Sequence, residues 1–92
     1  MNPAAPGTER RKEVREPASG WVELLFEDPA PVVAMGELLD RSVHGFRAAH
    51  GNVRLAPGME VSFRSQDRTG RARVMWTQVH GGRCVSGFYV KP

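Results

Sequence analysis

The chain has a single cysteine, a single tyrosine, two lysines and no long apolar run. One thiol, Cys84, excludes an internal disulfide framework, fits a reducing compartment, and leaves Cys84 as a small apolar residue in a strand. No apolar stretch approaches the roughly 20 residues that cross a bilayer as a helix, and the opening "MNPAAPGTER" lacks the hydrophobic segment of a signal peptide. The expected setting is the cytoplasm, without membrane insertion. Metal-ligand spacing is lacking too: His44, His50 and His80 form no set, and His80 with Cys84 is an isolated pair. There is no Gly-rich phosphate loop with a lysine and no Gly-x-Ser-x-Gly nucleophile elbow. No metal site, no cofactor and no enzyme activity are expected.

What is present is turn chemistry and arginine. A chain of 92 residues supports one domain with one modest core, and 10 Gly with 7 Pro imply many turns between short strands. The net charge is +3, and of the 13 basic residues only Lys12 and Lys91 are lysines. Arginine presents a planar fork that pairs with phosphate or a guanine edge at two points, whereas lysine is a hydrated point charge. GC-rich coding gives the same bias without any ligand, so composition alone does not choose between them.

Along the chain, residues 1–8 are Pro, Ala and Gly without periodicity and are expected to be a disordered leader, with a single domain over 9–92. The charged stretch "ERRKEVREP" (9–17) follows, expected to be flexible in the absence of a ligand. Then the pattern takes a period of two. Six strands are expected: "WVELLF" (21–26), "VVAMGELLD" (32–40), "FRAAH" (46–50), "MEVSFR" (59–64), "RARVMWTQV" (71–79) and "CVSGFYV" (84–90). Alternation places Val22, Leu24, Phe26, Met59, Val61, Phe63, Ala72 and Val74 inward, and Trp76 with them. Trp21, out of phase with Val22, is the expected exposed aromatic. Six evenly spaced strands favour a closed or nearly closed antiparallel barrel, because closure removes exposed edges.

"DRSVHG" (40–45) lies between the second and third of these strands and holds Asp40, Ser42 and His44 at alternating positions. A working triad places the base between nucleophile and carboxylate, usually from separate elements, so neighbours on one strand edge do not make one. The plain reading is a turn, with Asp and Ser bonding their own backbone and Gly45 permitting it. The remaining arginines, Arg47, Arg54, Arg64, Arg68, Arg71, Arg73 and Arg83, are read as solvated strand faces and turns.

Two motifs together carry more than either alone. Arg11 and Arg15 stand as R-x-x-x-R ahead of the first long strand, and Asp40, Ser42 and Gly45 stand as D-x-S-x-x-G. With the β-rich ending "RVMWTQVHGGRCVSGFYV", this resembles the PilZ domain family over about residues 9–90. The resemblance implies a six-stranded antiparallel PilZ-like β-barrel with a flexible N-terminal segment, acting as a bacterial receptor for the second messenger cyclic di-GMP. It implies that Arg11 and Arg15 take the ligand's phosphates and guanine edges, and that Arg10 influences whether one ligand or a stacked pair binds. It also implies that Asp40 accepts from guanine N1 and N2, that Ser42 bonds base or phosphate, and that Gly45 admits the ligand close to the backbone. A downstream protein partner is expected, engaged when the N-terminal segment orders. Two alternatives stand beside this: a small Arg-rich barrel holding single-stranded nucleic acid, and a PilZ-like protein-interaction module without ligand.

Overall fold

The computed structural model describes residues 14–52 and 54–92. These form seven strands and no helix: β1 (Glu16–Pro17), β2 (Trp21–Glu27), β3 (Pro31–Arg41), β4 (Gly45–His50), β5 (Glu60–Ser65), β6 (Thr69–His80) and β7 (Arg83–Val90). They pair antiparallel in the order β1-β3-β2-β5-β6-β7-β4, and a further β3–β4 pairing closes the ring. The result is a closed six-stranded antiparallel barrel with one extra short strand. Its six long strands fall where the period-two alternation places them, because each inward row fills one core. Val22, Leu24, Phe26, Phe46, Ala48, Val61, Phe63, Ala72, Val74 and Phe88 make up most of that core. Phe46 packs against Phe63 and Phe88 with ring centroids 5.0 and 4.7 Å apart, and Met59 packs partly buried at its margin. Leu55, from the β4–β5 connection, is 1% exposed and completes the core from outside the strands.

Two bulges interrupt the alternation. Pairing steps from Leu38↔Ala48 to Asp40↔Arg47, so Leu39 is an extra residue in β3. It steps again from Val74↔Phe88 to Trp76↔Gly87, so Met75 is extra in β6. An extra residue inverts which face each later side chain takes. This corrects the expectation for Trp76, which does not follow Val74 into the core. It shares the outer face with Gly87, half-buried, and a Cβ added to Gly87 would lie 2.4 Å from its ring. The indole can cover Gly87 because that residue has no side chain.

β1 continues the β2 side of the sheet along the end of β3, with Glu16↔Arg41 and Pro17↔Asp40. The Ala18 amide donates to the Leu39 carbonyl at 3.1 Å, and the Leu38 amide donates to the Gly20 carbonyl at 2.9 Å. Part of the stretch expected to be flexible without ligand, residues 15–17, is thus already laid against β3. Its backbone finds pairing there, and Arg15 finds a carboxylate. The leader (1–8) and the motif residues Arg10 and Arg11 lie outside the described residues.

Candidate functional site

The Leu39 bulge decides where Asp40 points. Leu38 faces the core, and unbroken alternation would send Asp40 inward after it. The extra residue turns Asp40 to the outer face opposite Arg47 instead. Arg15 reaches the same carboxylate from the residue before β1. Its Nη1 lies 3.0 Å from Asp40 Oδ1, while Arg47 donates to Oδ2 from Nε at 2.7 Å and approaches it with Nη2 at 2.5 Å. The Asp40 side chain is 11% exposed, against 49% for Arg15 and 42% for Arg47. A nearly buried carboxylate is tolerable only when paired in this way. Register places Pro17, Asp40, Arg47, Gly87 and Trp76 in one row across the outer surface of four paired strands and β1. An indole therefore stands at the far end of the row that holds Asp40 and Arg47.

The neighbouring turn carries Ser42 and Gly45. The Ser42 amide donates to the Gly45 carbonyl at 2.8 Å, closing the turn, and the Val90 amide donates to the His44 carbonyl at 2.8 Å. Gly45 is buried, and an added Cβ would sit 2.7 Å from the Phe88 carbonyl oxygen. The close approach of β4 to β7 is therefore enough to require glycine there. His44 stacks on Tyr89 with ring centroids 6.3 Å apart.

From the other side, the β5–β6 hairpin latches the turn. Arg68 spans the Ser42 and Val43 carbonyls, each at 3.4 Å, and Arg41 pairs with Asp67 at 2.9 Å. The hydrogen bond from Arg41 holds the Asp67 carboxyl below its usual range. A groove of about 460 Å³ runs beside the turn, lined by Val14, Glu16, Arg41, Ser42, Val43 and Arg68.

No protein-family model matches the chain, and no curated protein matches it.

Of the residues singled out in the sequence, the fold joins Arg15 to Asp40 and sets Ser42 and Gly45 in the adjoining turn. Arg47 and Trp76 were assigned elsewhere, one to a solvated face and the other to the core. Extending the register of Glu37↔Ala49 and Leu38↔Ala48 toward the turn without a bulge would pair Leu39, not Asp40, with Arg47, so the partner of Arg47 is hidden by the same bulge that turns Asp40 outward. Trp21 is exposed as expected, with the Arg64 guanidinium 6.0 Å from its ring centroid and Arg64 also paired to Glu23 at 3.0 Å.

Inside the barrel, His50 Nε2 lies 2.7 Å from Ser86 Oγ, a spacing familiar from serine hydrolases. Ser86 is fully buried, and its hydroxyl is also 2.5 Å from Thr77 Oγ1. Thr77 donates to the Leu55 carbonyl at 2.8 Å, and the Asn52 amide donates to His50 Nδ1 at 3.1 Å. One assignment satisfies all four contacts: His50 Nε2–H donates to Ser86, Ser86 to Thr77, and Thr77 to Leu55. Both bonding roles of the Ser86 hydroxyl are used within the core. Among the described residues, no group of three His, Cys, Asp or Glu side chains is placed to hold a metal.

Proposed function

We propose that the protein is a PilZ-type receptor for cyclic di-GMP, binding without catalysis. The observation that supports this most is the convergence of Arg15 and Arg47 on Asp40 at the head of the D-x-S-x-x-G turn. Cyclic di-GMP carries two phosphodiester anions and two guanines. A receptor for it needs guanidinium forks for phosphate or for guanine O6 and N7, and a carboxylate for the guanine N1–H and N2–H donors. Arg15 and Asp40 supply one of each on a single face, Ser42 adds a hydroxyl beside them, and Arg10 and Arg11 extend the basic stretch. Each charge-assisted contact contributes about 1.5–3 kcal/mol, so a handful exceeds the roughly 8 kcal/mol of micromolar binding before ordering costs. Engagement of the N-terminal arginines by the ligand then alters the face offered to a downstream protein partner.

Titration calorimetry with cyclic di-GMP tests this reading. Binding near about 1 µM is expected, weakened by salt and abolished in the Arg11→Ala/Arg15→Ala double variant. No heat at tens of micromolar ligand, or undiminished binding by the double variant, would sink it. A second reading, a barrel that holds single-stranded nucleic acid, is favoured by exposed Trp21 beside Arg64. A backbone binder gains from losing the Asp40 charge, whereas the receptor loses its guanine acceptor, so Asp40→Ala separates the two.

A further inference from the structure

The two arginines on Asp40 are not equivalent. Arg15 makes one contact to Oδ1 and precedes a two-residue strand that, among the described residues, pairs only with β3. Arg47 bears on Oδ2 with two nitrogens, and it stands mid-way along β4, which is paired with β3 on one side and β7 on the other. An ionised carboxylate offers about four acceptor positions, two on each oxygen. Arg47 fills Oδ2. Among the described residues Oδ1 holds one donor, which leaves room for one more, and for two if Arg15 departs. The guanine Watson–Crick edge presents two adjacent donors, N1–H and N2–H, and a phosphodiester is the natural competitor for a singly held guanidinium.

We propose that Arg47 is a specificity-determining positioning residue. It keeps Oδ2 while Arg15 exchanges Oδ1 for a ligand phosphate, so that Oδ1 remains aimed at the guanine N1–H and N2–H donors. The inference rests on the cyclic di-GMP reading and adds to it a residue outside both motifs. The terminal torsion of an aspartate is soft, with broad minima. Without a fixed partner the carboxylate would turn with Arg15 and lose its angle to the base. Arginine suits the task because its fork fixes a plane, which a lysine ammonium does not.

The test is a comparison of two ligands across three proteins. Wild type, Arg47→Ala and Arg47→Gln are titrated with cyclic di-GMP and with its inosine counterpart, which lacks only the exocyclic N2 amino group. Wild type is expected to prefer the guanine ligand by about tenfold or more, the value of one hydrogen bond to a charged acceptor. In both variants the preference falls below about threefold, because the acceptor is no longer fixed. A residue that only held the fold, or only added positive charge, would weaken both ligands alike. An unchanged ratio in the variants therefore overturns the proposal and leaves the receptor reading standing, as does equal affinity of wild type for the two ligands. Wild type that binds neither ligand overturns the receptor reading and this proposal with it. Arg47 is half-exposed, so its truncation opens no core cavity, and the glutamine variant keeps most of its bulk.

Discussion

Strand β4 carries two polar clusters on opposite faces, and they are built to different ends. Outside, Arg47 helps hold a carboxylate whose partners among the described residues are half-exposed and leave Oδ1 an acceptor position to spare. Inside, His50 begins a chain through Ser86 and Thr77 to the Leu55 carbonyl in which each side-chain donor has its acceptor. A saturated buried network fixes one arrangement and has nothing to offer a ligand. The unsaturated surface cluster can trade one partner for another at little cost. Each cluster depends on a bulge: Leu39 turns Asp40 outward, and Met75 turns Thr77 inward while laying Trp76 on the outer face.

Removing the centre of each cluster should therefore have opposite signatures. Asp40→Ala is expected to lower cyclic di-GMP affinity by about 100-fold, since the guanine donors lose their acceptor. Its unfolding free energy should stay within about 1 kcal/mol of wild type, because the arginines left behind turn to water. Ser86→Ala should do the reverse. It leaves the buried His50 Nε2–H without its acceptor and costs about 1–3 kcal/mol in urea denaturation, with affinity unchanged. A large stability loss from the first, or a large affinity loss from the second, would break the division between the two faces.

Acid sharpens the same contrast. Burial lowers the His50 pKa from its ordinary 6.5. Between that lowered value and 6.5 the unfolded chain binds more protons than the folded one, so stability falls as pH drops through this window and levels off below it. Glu60 and Asp67, both held below their ordinary values by cationic partners, add losses only at more acid pH, below 4.5 and 3.8. Urea midpoints measured between about pH 7.5 and about pH 5 should decline in wild type and flatten in His50→Gln. A slope that survives this substitution would assign the titration to another group.

The strands were legible from the sequence because a barrel with one core writes period two into each strand, and six such runs leave few other architectures. The Arg15–Asp40 half of the site was legible through its motif spacing. Arg47 and Trp76 were not, for one shared reason. Arg47 owes its partner, and Trp76 its face, to an insertion of one residue, and local composition does not say which residue is extra: the adjacent apolar residues of "ELLDR" and "RVMWTQ" fit an unbroken strand of either phase. Only pairing with β4 and β7 shows where the phase inverts.

That raises the question of what selects Met75 as the extra residue. Its side chain is 52% exposed, and Val74 on one side is buried while Trp76 on the other covers Gly87. If the flanking residues set the phase, the residue between them is free to vary. Met75→Ser should then change stability by no more than about 0.5 kcal/mol, as for an ordinary surface substitution, and the indole fluorescence of Trp76 should keep its wavelength. A loss several times larger, with a red-shifted indole, would mean that the Met75 side chain itself holds the bulge. The phase of β6, and with it both the inner chain and the far end of the outer row, would then hang on that one residue.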